Sequence, residues 1–212
     1  MFWKNRNIVT SYLKVYDFLV NDINCKYDWR CHKKNIFENY KKNIQNNHLE
    51  IGPGTGYFLK SFNYKVENLY LMDINNDTLN YSYANLITKY NNINVVNHNI
   101  FADDSKFVNN IDSVGMNYVL HCVPGKLENK IDIMLKNLKD DKKEKTFFGA
   151  TVLFDKSLQS NLSNCELFFL NKYGIFNNNL DTSQNLINYF EKNGIEYNYK
   201  IVGNVIIFDF KY

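Results

Sequence analysis

The chain has 212 residues, of which 45% are hydrophobic and 16% are aromatic. This length and apolar content fit a single domain that buries a sheet between helices. The formal net charge at pH 7 is only +3 and the lysines do not gather into one stripe, so nucleic-acid binding is not indicated. No apolar run is long enough to span a bilayer and the N-terminus lacks a signal-peptide pattern, so we expect a cytoplasmic protein with no membrane partner.

The cysteine pattern indicates neither a disulfide scaffold nor a metal site. The chain has 4 cysteines and no C-x-x-C pair, so reduced thiols are expected. A Cys2His2 zinc site would have to use both Cys31-His32 and His121-Cys122. Adjacent residues of a helix or strand point in different directions, so one metal ion could rarely reach both members of both pairs. We therefore expect no bound metal.

Hydrophobic periodicity predicts a helical N-terminal cap followed by an alternating core. Apolar residues at helical spacing predict helices over residues 7–23 and 33–44, and we assign residues 1–45 to a cap within the same domain. Strands are then predicted over residues 48–51, 68–72, 93–97, 111–116, 146–154, 197–202 and 204–210. Helices are predicted over residues 56–62, 77–89, 126–138, 157–172 and 182–192, the last of them capped by Asp181 and stopped by Gly194. This alternation favours an α/β fold with a parallel, doubly wound sheet over residues 46–212.

The last two predicted strands are separated by little more than Gly203. A connection this short forms a tight hairpin, and a tight hairpin joins antiparallel strands. The parallel sheet is therefore predicted to end in one antiparallel strand.

A glycine-rich loop follows the first core strand, at His48-Leu49-Glu50-Ile51-Gly52-Pro53-Gly54-Thr55-Gly56-Tyr57. Glycines let the backbone approach a ligand without a Cβ in the way, and the following helix begins with unpaired N–H groups. The dinucleotide fingerprint G-x-G-x-x-G would need its third glycine at Tyr57, whereas this loop reads E-x-G-x-G-x-G. The spacing therefore favours a nucleotide-like cofactor other than a dinucleotide.

A second acidic residue, Asp73, directly follows the next predicted strand. An ionised carboxylate at that point could accept hydrogen bonds from both hydroxyls of a cofactor ribose. The alternative is that Asp73 only caps the following helix, as part of the turn chemistry that Asn75-Asn76-Asp77 also supplies. The sequence leaves both roles open.

The E-x-G-x-G-x-G loop, the acid after the second strand and the terminal hairpin resemble the class I S-adenosylmethionine-dependent methyltransferases over residues 46–212. The resemblance implies strand order 3-2-1-4-5-7-6 with strand 7 antiparallel. It also implies S-adenosyl-L-methionine as cofactor and S-adenosyl-L-homocysteine as product. The cofactor-binding residues that it implies are Glu50, Gly52, Pro53, Gly54, Thr55, Gly56, Asp73, Ile74, Asn99, Ile100, Phe101 and Asn117.

Asn99 departs from the pattern of this family, because many relatives carry aspartate at the position that reads the adenine amine. An asparagine oxygen still accepts a hydrogen bond from that amine. An ordinary surface turn at Asn99 is the alternative.

The segment after the fourth predicted strand, residues 117–125, falls at the topological switch point where an open α/β sheet binds its ligand. It lacks the Asn/Asp-Pro-Pro-Tyr/Phe tetrapeptide of enzymes that methylate adenine amines or glutamine amides. With Tyr27-Asp28-Trp29-Arg30-Cys31 upstream, it resembles a group of small bacterial and fungal methyltransferases regarded as small-molecule enzymes. His121 is the candidate general base, since neutral imidazole works near physiological pH. A histidine that only hydrogen-bonds its own loop is the alternative.

Aromatic and basic residues near the site are expected to cover the cofactor or to contact the acceptor. The candidates are Tyr12, Tyr16, Trp29, Arg30 and Tyr118, and each also fits an ordinary core or surface role. We predict an S-adenosylmethionine-dependent methyltransferase that acts on an oxygen or nitrogen of a small-molecule acceptor. A non-catalytic cofactor-binding module and a methyltransferase for RNA or protein are the alternatives.

Overall fold

The structure is a computed structural model that describes residues 29–61, 63–107, 109–140, 143–155 and 157–212. The predicted helix over residues 7–23 and the candidate cap residues Tyr12 and Tyr16 lie outside the described residues. Within these ranges the chain forms a seven-stranded sheet with helices on both faces.

The strands of this sheet are β1 (Asn47–Ile51), β2 (Asn68–Asp73), β3 (Ile93–Asn97), β4 (Ser113–Asn117), β5 (Thr146–Val152), β6 (Tyr197–Val202) and β7 (Val205–Lys211). Their order is β3-β2-β1-β4-β5-β7-β6. Neighbouring strands pair in parallel except for β7, which is antiparallel to both β5 and β6. The predicted fold class, strand order and antiparallel strand 7 are confirmed.

The helices in the described ranges are α1 (Lys34–Asn43), α2 (Tyr57–Ser61), α3 (Asn76–Leu86), α4 (Leu127–Leu138), α5 (Asn161–Lys172), α6 (Ser183–Lys192) and a 3-10 turn (Leu120–Cys122). They cover two apolar cores, with α4 and α6 on one face of the sheet and α1, α2 and α3 on the other. Leu49 and Ile51 of β1 belong to the α4 core. Because strand side chains alternate between faces, His48 and Glu50 lie on the α1 side. No helix of the described residues is long and apolar enough to cross a membrane.

Several predicted boundaries shift by a few residues. β4 extends to Asn117, which is therefore the last residue of a strand and not the first of a loop. α5 begins at Asn161 and not at residue 157, because Asp155 holds Ser157 in a turn by accepting hydrogen bonds from its N–H (3.0 Å) and hydroxyl (2.7 Å). A capping box between Ser160 and Ser163 then starts the helix.

The N-cap of α6 is Thr182, so the prediction that Asp181 caps this helix is wrong. The Thr182 hydroxyl oxygen accepts a hydrogen bond from the Asn185 N–H (3.3 Å). Asp181 is instead fully buried, and its carboxylate accepts a hydrogen bond from Lys130 Nζ (2.7 Å). Asp181 and Thr182 are both residue types that cap helices, so the sequence does not show which of them is the cap. Their roles differ because Lys130, distant in the sequence, binds Asp181.

The turn between β6 and β7 supports the first described residues of the chain. Gly203 has a φ of +61°, and a Cβ at this position would overlap the Trp29 carbonyl oxygen. The Asn204 N–H donates to the same oxygen (3.1 Å). Since Val205 pairs with Val152, this turn lies at the carboxyl end of β5. The hairpin therefore holds Trp29 near the edge of the sheet where the candidate site residues lie.

Candidate functional site

The glycine loop, residues 52–56, connects β1 to α2. Gly52, Gly54 and Gly56 have φ angles of 63°, 56° and 77°, in the left-handed region that favours glycine. The Gly52 N–H donates to the Met72 carbonyl oxygen (2.8 Å), which fixes the loop at the end of β2. A Cβ on Gly54 would meet no atom of the described residues within 4 Å, so this part of the loop is open to a ligand.

Pro53 and Thr55 hold the loop to itself and to α3. The Pro53 carbonyl oxygen accepts a hydrogen bond from the Gly56 N–H (2.8 Å). The Thr55 carbonyl oxygen accepts one from Asn85 Nδ2 (2.9 Å). These hydrogen bonds fix the loop to itself and to α3.

Asp73 and Ile74 lie at the carboxyl end of β2. Asp73 Oδ1 accepts a hydrogen bond from the Asn75 N–H (2.8 Å), but the side chain that caps α3 is that of Asn75. Burial raises the pKa of Asp73 to about 6, although backbone hydrogen bonds from Asn75 and Ile74 act to lower it. Beside this carboxyl group the Ile74 side chain is 70% exposed. A desolvated carboxyl group next to an open apolar side chain suits a ribose with an attached ring.

Asn99, Ile100 and Phe101 form the turn after β3. Asn99 Oδ1 accepts a hydrogen bond from the Phe101 N–H (3.1 Å), so this side chain closes a local turn. Asn137 of α4 holds the turn by donating to the carbonyl oxygens of Ile100 and Ala102 (both 2.8 Å). The local hydrogen bonds account for the turn, and the adenine contact of Asn99 stays a prediction.

Asn117 is the most informative polar side chain at this edge of the sheet. It is 6% exposed, and neither its amide nitrogen nor its amide oxygen has a hydrogen-bond partner among the described residues. Leaving a buried polar group unsatisfied costs about 1–3 kcal/mol. Two residues further on, the Val119 side chain packs against Gly52, where a Cβ would overlap its Cγ2. The segment that carries the Asn117 amide therefore contacts the glycine loop.

Glu50 of β1 is buried, and the side chains of Tyr40 and His48 hold its carboxylate. The Tyr40 hydroxyl of α1 donates to Oε1 (2.6 Å), and His48 Nε2 lies 2.9 Å from Oε2. Burial and then the charge of Glu50 raise the pKa of Tyr40 well above its ordinary value. The nearby Asn117 side chain acts to lower this pKa, although it makes no hydrogen bond of normal geometry to the Tyr40 hydroxyl. Sequence reasoning missed Tyr40 and His48. A signal existed for His48, which lies two residues before Glu50 and thus on the same face of the strand.

Trp29 and Tyr118 form an aromatic cluster with His121 and Phe176. The ring centroids of Trp29 and Tyr118 are 5.2 Å apart, and those of His121 and Phe176 are 4.1 Å apart. Tyr118 has a φ of 58°, a strained conformation for a residue with a side chain. Trp29 is 3% exposed, and its indole N–H has no partner among the described residues. The cluster therefore excludes water next to Asn117 while one hydrogen-bond donor stays unused.

Arg30 does not share the environment of Trp29. Its side chain is exposed, and its guanidinium donates to the Leu158 carbonyl oxygen. Pairing of Arg30 with a cofactor or acceptor carboxylate stays a prediction.

His121 lies in the 3-10 turn and is 2% exposed. Its Nδ1 accepts a hydrogen bond from the Val152 N–H (3.4 Å) and lies 3.4 Å from Thr151 Oγ1. Burial and then the positive charge of Lys130 lower the pKa of His121 to about 3, so the ring is neutral. With Nδ1 as acceptor, the ring hydrogen is on Nε2, which can donate but cannot accept. This geometry fits the alternative role of His121, that of a histidine that only hydrogen-bonds neighbouring groups.

Lys130 of α4 joins the 3-10 turn to the segment before α6. Its buried Nζ donates to the carbonyl oxygens of Leu120 (3.0 Å) and Asn177 (3.2 Å) and to the Asp181 carboxylate (2.7 Å). Burial lowers the pKa of Lys130 and raises that of Asp181 to about 6, so desolvation outweighs their mutual attraction. Sequence reasoning missed Lys130. It lies three residues after Leu127, on the helix face that the periodicity marks as apolar.

We expect Lys130→Met to lower the free energy of unfolding by about 3–5 kcal/mol, because the Asp181 carboxyl group stays buried without its cation. Adding Asp181→Leu should recover most of that loss. Lys136→Met is the matched control, since its ion pair with Asp132 (2.7 Å) lies on the same helix but is exposed and should matter little. Urea denaturation followed by circular dichroism measures these changes. Equal losses for Lys130→Met and Lys136→Met would contradict the role of the buried pair.

A cavity of about 450 Å³ lies at the end of the sheet opposite the candidate site. It is between the end of α4, the start of β5 and Tyr212. Its lining includes none of the predicted site residues. In the described ranges, no three histidine, cysteine, aspartate or glutamate side chains come together as a metal site would require.

Comparison with known proteins shows the family and the fold of this chain. A family profile described as "Methyltransferase domain" matches residues 28–199. The demethylluteothin O-methyltransferase of Streptomyces thioluteus is 32% identical over 179 residues, which is 83% of this chain and 76% of that protein. Methyltransferase aurB of Calcarisporium arbuscula is 32% identical over 211 residues, 91% of this chain and 90% of that protein. A solved SAM-dependent methyltransferase from Aquifex aeolicus shares the fold with a TM-score of 0.58 at 12% identity, over 98% of this chain and 97% of its own.

Proposed function

We propose that this chain, which belongs to the methyltransferase domain family, methylates a hydroxyl oxygen of a small molecule. That the chain is an S-adenosylmethionine-dependent methyltransferase follows from the family, and the acceptor is the proposed part. An oxygen acceptor is supported by the relative from Streptomyces thioluteus, which is named as an O-methyltransferase. The resemblance in the sequence alone is equally compatible with a nitrogen acceptor.

The observation that carries the cofactor part of the proposal is the Asn117 amide beside the glycine loop, which has no hydrogen-bond partner among the described residues. It occurs at the carboxyl ends of β1 and β4, where the strand order reverses and open α/β sheets bind their ligands. A bound ligand with polar groups at this point would satisfy both amide atoms, which are otherwise buried at a cost.

The cofactor supplies a methyl group on a positively charged sulfur, and the chain has to align the acceptor with it and exclude water. We assign the methionine moiety to Glu50 and the loop, the ribose hydroxyls to Asp73, and the adenine to the apolar side chains after β2 and β3. The full set is Glu50, Gly52, Pro53, Gly54, Thr55, Gly56, Asp73, Ile74, Asn99, Ile100, Phe101 and Asn117. Residues 1–45 are proposed to complete the site as a cap.

The aromatic cluster of Trp29, Tyr118, His121 and Phe176 is the proposed wall of the acceptor site. Its flat apolar surfaces suit an aromatic or other planar acceptor. The indole N–H of Trp29, which has no partner among the described residues, suits an oxygen on that acceptor. His121 acts as a base only if its hydrogen moves to Nδ1 and bonds the Thr151 oxygen, which frees Nε2. A donor role for Nε2–H toward the acceptor is the alternative.

We expect Asp73→Ala and Gly54→Val to abolish binding of S-adenosylhomocysteine without unfolding the protein. The first removes the proposed ribose contact, and the second puts a branched side chain into a left-handed loop position that is open to the ligand. Calorimetry measures the binding, circular dichroism checks the fold, and Asp103→Ala serves as the exposed control. Normal affinity in both variants would place the cofactor elsewhere, and NAD is the control ligand that should not bind.

Cofactor binding should depend on pH through Asp73. Its pKa is raised to about 6 in the free protein, so the carboxyl group is ionised above that pH and protonated below it. If the ionised form accepts the ribose hydroxyls, affinity is full above pH 6 and falls by about tenfold for each pH unit below it. Calorimetry with S-adenosylhomocysteine at stepped pH tests this. A flat profile for the wild-type protein, or the same slope in Asp73→Asn, would contradict the assignment.

His121→Ala should lower turnover by about 100-fold or more if His121 is the base, and should leave the dissociation constant of S-adenosylhomocysteine nearly unchanged. The assay measures S-adenosylhomocysteine formed from S-adenosylmethionine with a panel of simple phenols as acceptors. His98→Ala is the matched control, since His98 is bonded to Ser105 outside the aromatic cluster. Unaltered turnover in His121→Ala would assign the residue to structure alone.

A further inference from the structure

A row of buried polar side chains crosses from α1 through β1 to β4. Tyr40, His48 and Ser113 have no exposed surface, and Glu50 is 3% exposed. The Tyr40 hydroxyl is 2.6 Å from Glu50 Oε1, His48 Nε2 is 2.9 Å from Glu50 Oε2, and His48 Nδ1 is 2.8 Å from Ser113 Oγ. These contacts form a continuous chain of hydrogen bonds that ends on one carboxylate.

The hydrogen bonds at His48 depend on its tautomer, and one arrangement satisfies every group. The Gln45 N–H donates to Ser113 Oγ (2.9 Å), and in this arrangement the Ser113 hydroxyl gives its own hydrogen to His48 Nδ1. With Nδ1 as acceptor, His48 donates its Nε2 hydrogen to Glu50. Tyr40 donates to the other carboxylate oxygen. In this arrangement every member of the row is satisfied, and Glu50 receives one donor on each oxygen.

The carboxylate of Glu50 has hydrogen-bond donors but no permanently charged partner among the described residues. Among the described residues, no lysine or arginine pairs with it, and its one charge-type contact is to His48. A buried carboxylate is costly unless it is hydrogen-bonded and paired. The row therefore holds a buried carboxyl group through hydrogen bonds, with no lysine or arginine of the described residues beside it.

Gly115 provides the space for this anion. It pairs with Glu50 across the sheet, and a Cβ at this position would lie 2.5 Å from Glu50 Oε2 and 3.1 Å from His48 Cε1. A side chain here would therefore displace the bond between His48 and Glu50. The register and the glycine together preserve the geometry of the carboxylate.

We propose that Tyr40, His48 and Ser113 are positioning residues that hold the Glu50 carboxylate ready for the ammonium group of the cofactor's amino-acid moiety. This inference rests on the proposed placement of the cofactor at the glycine loop. An α-amino group brings a cation to a carboxyl group that pairs with no lysine or arginine of the described residues, and Glu50 lies two residues before the first loop glycine. A carboxylate fixed by two donors loses no freedom when the cation arrives, so its contribution to binding is preserved.

The packing around Tyr40 allows its hydroxyl to be tested alone. Its ring lies 5.1 Å from that of Phe148 and 5.9 Å from that of Phe58, and a phenylalanine at position 40 keeps these contacts. Tyr90→Phe is the matched control, because the Tyr90 hydroxyl is also buried and donates to a carbonyl oxygen, that of Leu59 (2.9 Å). Each variant removes one buried hydroxyl, and only Tyr40→Phe touches the row.

The experiment compares two ligands by calorimetry: S-adenosylhomocysteine, and 5′-methylthioadenosine, which lacks the amino-acid moiety. We expect Tyr40→Phe to weaken binding of S-adenosylhomocysteine by about tenfold, the effect of one hydrogen bond to a charged group, and to leave 5′-methylthioadenosine unchanged. Ser113→Ala, at the far end of the row, should show the same selectivity to a smaller degree. Tyr90→Phe should change neither ligand.

Two results would overturn the inference, and they differ from each other. If the wild-type protein binds both ligands and Tyr40→Phe and Ser113→Ala weaken both equally or neither, the row has only a structural role and the cofactor site stands. If the wild-type protein binds neither ligand, the placement of the cofactor fails and the inference fails with it. Should Tyr40→Phe not fold, Ser113→Ala decides the question alone.

Discussion

The parallel register between β1 and β4 is the constraint on which the rest of the site depends. It pairs His48 with Ser113 and Glu50 with Gly115, so an imidazole meets a hydroxyl and a carboxylate faces a residue without a side chain. A shift of one residue would turn each of these side chains to the other face of the sheet. The same pairing brings the carboxyl ends of the two strands to one edge, where the glycine loop meets the segment after β4.

Two buried ionic groups stabilise opposite sides of this edge in different ways. Glu50, on the α1 side, is held by Tyr40 and His48 and pairs with no lysine or arginine among the described residues. Lys130, on the α4 side, has its own carboxylate in Asp181 and uses its other hydrogens on backbone oxygens. The first group is satisfied by hydrogen bonds and is the one that we propose to meet a positive ligand, whereas the second has its own counter-ion and fixes the turn that carries His121. This difference is why we relate Glu50 to binding and Lys130 to structure.

Much of the fold could be predicted from the sequence, because its signals are local. Apolar runs and turn residues predicted the strands, and the short connection at Gly203 required the antiparallel strand. The positions of Tyr40 and Lys130 could not be predicted in this way, since Lys130 and Asp181 are 51 residues apart and meet only in the folded chain. The same separation along the sequence explains why the local pattern wrongly predicts Asp181 as a helix cap. The burial of His121, and with it the low pKa, is likewise a property of tertiary packing.

A crystal structure of the protein with S-adenosylhomocysteine tests the central claim most directly, namely that the cofactor binds between the glycine loop and Asn117. The account predicts polar ligand atoms within hydrogen-bond distance of the Asn117 amide, the ribose hydroxyls on Asp73 and the ligand ammonium group beside Glu50. A ligand bound at the opposite edge of the sheet, or an Asn117 amide still without a partner in the complex, would contradict it.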